Sequence, residues 1–376
     1  MPVPAPLIAR PDDITDDWLT DALVASGAAP AGAVVERHTA EGIGTGQVGQ
    51  NVRFTLTWSG IDDADDGAAG SGAGAGVPTT VVGKFAAADE QSRLAGLMTG
   101  TYVREVSFYR ELADRCAMRI PFCHVAELDP DTGEFVLLFE DIAPARQGDQ
   151  IAGCTIDEAA LAMTELGKLH ASYWDDPSLD GREWLAHRAR PDSAMILASM
   201  YDGFAGGFAE RYGDRLPDLT LTVVEAFSGR IGDWLATDEG PLTLLHTDYR
   251  LDNMLFGTGP GAPPLTVVDW QTPAVGVGAS DAAYFLGGGL GIDDRRTHER
   301  DLLEVYRQSL AAGGVELSAD ALWAQYRANA GAGLHMTVVA SMLVGRHDRG
   351  DAMFCAMAER HTAHMDDLET LTIISG

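Results

Sequence analysis

The stretch that most limits what this chain can become lies in its second half. Residues 244–256 read LLHTDYRLDNMLF, and residues 265–271 read LTVVDWQ. The first is an apolar run, the pattern H-x-D-x-x-x-x-N and a second apolar run. The second places Asp269 at the end of another. Short apolar runs bounded by polar residues read as buried strands, which sets Asp248, Asn253 and Asp269 on loops at strand ends. An aspartate so held can accept the proton of a hydroxyl. Asn253, five residues on, can offer a carbonyl oxygen to a hard cation such as Mg²⁺, and Asp269 a stronger, anionic one. An isolated H-x-D is common. Joined to the asparagine, the flanking strands and a second aspartate about 20 residues on, it becomes specific.

The first part of the chain supplies what such a loop would need. Residues 41–50, EGIGTGQVGQ, hold Gly44, Gly46 and Gly49 in the spacing G-x-G-x-x-G. In a dinucleotide-binding unit this loop opens a helix. Here it leads into a strand, in which Val52, Phe54, Leu56 and Trp58 alternate with Asn51, Arg53, Thr55 and Thr57. A strand, a glycine loop and a strand form instead a flap over nucleotide phosphates, because glycine lets backbone approach phosphate oxygens. Lys84 ends a β-branched strand at 79–85. It is one of only two lysines, the other being Lys168, in a chain with twenty-four arginines. A lysine kept where arginine is otherwise used can act as a compact point charge. Glu105, in a helix predicted over 101–115, is its natural partner.

Taken together, these residues resemble the aminoglycoside phosphotransferase/choline kinase branch of the protein-kinase-like fold. Within that branch they resemble the ecdysteroid-kinase-like (CHK-type) phosphotransferases. The resemblance extends to E-x-x-F-Y at Glu105–Tyr109, FVLLFEDI at 135–142 and LGKLHASYW at 166–174. It implies an α+β, bilobal, protein-kinase-like fold, with a small β-rich N-lobe over 1–142 and a larger, mostly helical C-lobe over 143–376. It also implies ATP and Mg²⁺ as cofactors, bound between the lobes. Asp248 resembles the catalytic base, Asn253 and Asp269 the metal ligands, and Lys84 and Glu105 the phosphate-binding ion pair. Residues 139–142, with Glu140 and Ile142, resemble the hinge whose backbone reads the adenine edge. Gly44, Gly46 and Gly49 resemble the flap. Asp281 resembles the aspartate that braces the catalytic loop. His246 reads as a loop-shaping residue and His170 as a packed one, and Arg250 either balances charge near the phosphates or faces solvent.

The expected activity is transfer of the ATP γ-phosphate to a hydroxyl of a small acceptor. The alternatives are an aminoglycoside phosphotransferase proper and a nucleotide-binding pseudokinase scaffold. A protein kinase is disfavoured, because no A-P-E signature follows Asp269 and the stretch reaches SDAAYF within about a dozen residues. The acceptor is not named by any motif. Residues 195–212 and 322–345, rich in Met, Gly and aromatics, suggest an apolar, adaptable wall. Composition narrows the partners. The 26 basic and 56 acidic residues give −30, a field that repels nucleic acid and anionic membranes. No 18-residue apolar run or secretory leader is evident, and four cysteines without C-x-x-C suit a reducing cytoplasm. Residues 60–78 read as a flexible Gly/Ala loop. The oligomeric state stays open.

Overall fold

The computed structural model describes residues 1–44, 49–60, 76–188, 190–237 and 240–374. Its contacts divide the chain into two units. The first comprises Met1–Arg115, Arg119–Arg146 and Leu255–Gln271, and the second Cys116–Met118, Gln147–Met254 and Thr272–Gly376. The chain leaves the first unit after Arg146 and returns to it over Leu255–Gln271. The returning segment carries Asp269.

The first unit is built on five antiparallel strands, β1 (Val34–Ile43), β2 (Gly49–Ser59), β3 (Thr80–Ala86), β4 (Cys123–Leu128) and β5 (Phe135–Glu140), in the order β1-β2-β3-β5-β4. The period-two pattern of β2 does what it predicts. Val52, Phe54 and Leu56 are buried, and they share a core with Val81, Phe85 and Leu138 and with Trp18, Leu19 and Leu23 of helix α1 (Asp16–Ala25). Burying such side chains stabilises by about 1.5–3 kcal/mol each.

Two helices, α2 (Glu90–Thr99) and α3 (Thr101–Glu111), follow β3. Gly100 joins them at φ 69°, in the left-handed region that ends a helix at least cost when the residue is glycine. The predicted helix over 101–115 stops at Glu111, and α2 was not expected. The cause of the second miss is visible in the sequence. Leu94, Leu97 and Met98 remain exposed, so α2 has no clean apolar stripe.

The second unit is mostly helical, with α4 (Ile156–Ser172), α5 (Pro191–Tyr212), α6 (Asp218–Phe227), α7 (Ile231–Leu235), α8 (Ala279–Gly289), α9 (Ile292–Ala312), α10 (Ala319–Ala328), α11 (Gly331–Leu343), α12 (Asp348–Asp367) and α13 (Thr370–Ile373). Helices α6 and α7 are separated at Gly229, with φ 73°. Helix α12 was not expected, because its buried face mixes Met353, Phe354 and Met357 with His361, Thr362 and His364. Short strands carry the functional loops. In chain order they are β6 (Ala145–Gln147), β7 (Ala186–His187), β8 (Thr243–Leu245), β9 (Met254–Gly257), β10 (Leu265–Val267) and β11 (Ala274–Gly276). They form two sheets, β10-β9-β6 and β7-β11-β8. Strand β8 leads into the 246–253 loop, and β10 leads to Asp269.

Candidate active site

In the first unit, Lys84 lies on β3 opposite Asn51 of β2 and Leu137 of β5, which buries its stem. Its ammonium bonds Glu105 Oε1 at 2.7 Å and Asp269 Oδ1 at 3.0 Å. Burial alone would lower the Lys84 pKa, but Asp269 and Glu105 outweigh it and hold the group above its ordinary value. The ammonium is therefore a permanent charge. Breaking such a buried pair from one side leaves an uncompensated charge, at about 3–5 kcal/mol. Asp269 itself has φ 71°, an uncommon conformation for a non-glycine residue that clusters at functional sites. Next to it, the Trp270 ring lies flat on Phe108 of α3, with centroids 3.8 Å apart and planes 3° from parallel. The metal-ligand candidate and the Glu105 helix are thus tied together by packing as well as by charge.

The flap and hinge candidates belong to the same unit. Gly44 follows β1 at φ 74°. Gly49 opens β2, and a Cβ there would sit 3.3 Å from both Lys84 Cε and the Phe85 carbonyl oxygen. Gly46, with Thr45 and Gln47, lies outside the described residues. Glu140 ends β5, and its carboxylate accepts from Arg119 Nη1 and the Phe122 N–H, both at 2.6 Å. Its own N–H donates to Phe122 O. That N–H is therefore spent within the fold, whereas half-buried Ile142 makes no backbone hydrogen bond among the described residues.

In the second unit, the loop after β8 is held from below by Asp281 of α8. Its carboxylate accepts the N–H of His246 at 2.7 Å and that of Thr247 at 3.0 Å. Thr247 has φ 63°, costly for a β-branched residue, and the two bonds from Asp281 maintain it. His170 is fully buried, with Nδ1 2.8 Å from the Tyr306 hydroxyl and Nε2 3.4 Å from Asp281. It packs, as its helix position predicts.

Three side chains surround Asp248. Arg250 Nε donates to both carboxylate oxygens at 3.0 Å, Tyr284 donates its hydroxyl to Oδ1 at 2.8 Å, and Asn253 Nδ2 donates to Oδ2 at 2.8 Å. Arg250 is thus neither a solvent-facing side chain nor a lone counter-charge; it orients Asp248. Burial lowers its pKa, but Asp248 and neighbouring acids raise it more, so it stays charged. Asn253 Nδ2 also donates to the Asp248 carbonyl at 2.9 Å. With its amide nitrogen so engaged, the side-chain oxygen is the atom left to offer outward.

The far side of the loop is latched by residues the sequence did not reveal. Asp252 accepts two bonds from Arg349 at 3.0 Å, one from Arg250 at 2.9 Å and one from the Gln150 N–H at 2.9 Å. Gln150 Oε1 in turn accepts the Leu251 N–H. Arg360, on α12, donates to the carbonyls of Gln150, Ile151 and Gly288. Tyr284 and Arg349 had no motif to announce them. Tyr284 was findable only as the residue one helical turn after Asp281.

Asn253 and Asp269, each in its own unit, offer hard oxygen donors, the ligand type Mg²⁺ takes. On α5, Met195 and Ile196 are exposed and, with Ser199, Met200, Gly203 and Phe204, form an open, largely apolar helix face.

Residues 194–317, which include the 246–253 loop and Asp269, match the ecdysteroid kinase-like family. No curated protein matches the chain. Similar solved structures include a choline/ethanolamine kinase family protein from Mesorhizobium loti (16% identity, TM-score 0.46, covering 95% of this chain and 98% of that one). Others are the choline kinase LicA from Streptococcus pneumoniae (13%, 0.46, 92% and 98%) and aminoglycoside 2'-phosphotransferase-IIIa in a GDP complex (12%, 0.47, 93% and 99%). Together with the five-stranded unit and its Lys84–Glu105 pair, the match agrees with the resemblance carried by the motifs: an α+β, protein-kinase-like architecture akin, over residues 194–317, to the ecdysteroid kinase-like family.

Proposed function

We propose that the protein is a small-molecule kinase that transfers the ATP γ-phosphate to an acceptor hydroxyl. The observation that carries this reading is the environment of Asp248: one carboxylate, fixed by Tyr284, Arg250 and Asn253, on a loop braced by Asp281. Asp248 accepts the hydroxyl proton as the acceptor oxygen attacks phosphorus, and the bond to the bridging oxygen of the diphosphate breaks. Lys84, kept charged by Glu105, meets the nucleotide phosphates. Asn253 and Asp269 would hold Mg²⁺, which neutralises charge on those phosphates when bound. Positioning and charge neutralisation then account for most of the acceleration.

The backbone at Ile142 is suited to read the adenine edge. The segments 195–212 and 322–345, rich in Met, Gly and aromatics, favour an acceptor with an apolar body over a polycationic sugar. Four free cysteines and the acidic surface suit a cytoplasmic enzyme. Among the described residues no helix is long and apolar enough to cross a membrane.

The test is nucleoside-diphosphate release by the purified protein over aminoglycosides, amino alcohols, sugars, sterols and macrolides, with Asp248→Asn as control. Acceptor-dependent release that vanishes in the control is expected. Efficient phosphorylation of kanamycin-type aminoglycosides alone would reject the apolar acceptor, and release that is unchanged in Asp248→Asn would reject the assignment of the base.

A further inference from the structure

Three cations are buried deepest in this chain: Lys84, Arg188 and Arg295. Lys84 holds Glu105 and Asp269. Arg295 holds Glu299 and Asp367. Arg188 holds no carboxylate among the described residues, although acidic residues outnumber basic ones by 56 to 26. A buried charge is ordinarily paired, because the cost of desolvating it is otherwise not recovered.

What Arg188 does have is limited. Its Nη1 donates to the Ser280 hydroxyl, and the guanidinium lies over the Trp234 ring, 4.9 Å from the centroid. Its other side-chain nitrogens make no hydrogen bond among the described residues, yet none of them is a fully enclosed atom. They therefore keep some access to solvent. The indole Nε1 of Trp234 is enclosed and also lacks an acceptor. Of the two, only the guanidinium can meet an incoming acceptor, and the indole supplies the face on which it lies. His335, against the same indole at 5.8 Å, adds no second cation, because burial lowers its pKa to about 4.

The place of this cluster gives it meaning. Arg188 follows β7, which pairs with β11, which pairs with β8, the strand that enters the 246–253 loop. Its partner Ser280 is the residue before Asp281, which braces that loop.

We infer that Arg188 and Trp234 form a binding site for an oxyanion, and that the acceptor is a hydroxylated compound carrying that group as a carboxylate or sulfate. The second half rests on the phosphotransferase reading; the first does not. A guanidinium on an aromatic face presents a planar fork that takes such an oxyanion through two parallel bonds.

The experiment uses the full chain and matched probes. Calorimetric titration compares benzoate with benzamide, its neutral isostere. Benzoate should bind at least about ten-fold more tightly, the usual worth of a charge-assisted hydrogen bond. Arg188→Gln should abolish the preference and Arg188→Lys should keep part of it. Equal affinities in the wild type, or no saturable benzoate binding in the millimolar range, would overturn the site without recourse to any variant. So would a folded Arg188→Gln that still prefers benzoate.

A second arm offers 4-(hydroxymethyl)benzoate and 4-(hydroxymethyl)benzamide as acceptors with ATP and Mg²⁺. Transfer favouring the carboxylate is expected. Transfer with no preference removes the anionic acceptor and leaves the kinase reading intact. Anion binding without transfer to either keeps the site and counts against the kinase reading.

Discussion

The hydroxyl of Tyr284 reaches Oδ1 of Asp248 at 2.8 Å from a ring that is almost wholly buried. Burial holds the phenol pKa well above its ordinary value, so the hydroxyl stays protonated and acts as a donor. Tyr284→Phe removes that donor and little volume. It should lower kcat by roughly ten-fold and leave the KM for ATP unchanged, because the carboxylate loses one of the groups that orient it. Asp248→Asn should lower kcat by roughly 10²–10⁴ with nucleotide binding retained. Steady-state kinetics over pH 5–9 check both.

Lys84 meets two carboxylates at once, so its size matters as much as its charge. Lys84→Arg should weaken nucleotide binding and turnover, because the planar fork cannot replace a compact ammonium between Glu105 and Asp269. Asp269→Asn should remove the Mg²⁺-dependent part of nucleotide affinity. Titration with and without Mg²⁺ tests the pair. Unchanged affinity and turnover in Lys84→Arg would end the argument from lysine rarity.

The flat stack of Trp270 on Phe108 predicts a stability effect separate from chemistry. Trp270→Ala should destabilise by about 3–5 kcal/mol, the usual cost of emptying a buried aromatic site. Trp270→Phe should recover most of it. Urea midpoints read both, and a loss below about 1 kcal/mol in the alanine variant would show that the stack is not a core contact.

Several buried histidines set an acid limit. Burial lowers His124 and His335 to about 4 and His361 to about 3, from an ordinary 6.5. Between pH 6.5 and those values the unfolded chain binds more protons than the folded one, so stability rises with pH across that window. It is complete above pH 6.5 and falls by up to about 1.4 kcal/mol per pH unit for each histidine as the medium acidifies. Denaturation midpoints flat between pH 7.5 and 5 would contradict this.

Much of the fold could be read from residue order because its signals are local. The alternation in β2, the glycine loop and the H-x-D-x-x-x-x-N spacing each need only neighbouring residues. The partners of Asp248 and Asp252 were not local. Tyr284 lies 36 residues from Asp248 and Arg349 97 residues from Asp252, and nothing in either stretch states the contact. Arg250 was legible as a charge near the loop but not as the group that orients Asp248, since i and i+2 neighbours meet only when a loop turns sharply. The return of Leu255–Gln271 to the first unit was not local either, because pairing of a late segment is invisible to a reading that moves along the chain.

Arg349 and Arg360, which latch the 246–253 loop and the Gln150–Ile151 segment, follow every motif residue in chain order. A nascent chain that has emerged only as far as residue 345 holds every motif residue, yet lacks the two side chains that close Asp252 and the Gln150 and Ile151 carbonyls. Completion of the loop therefore waits on residues made after every signature residue, and stop codons ahead of α12 should yield polypeptides with all of the signature residues and no turnover.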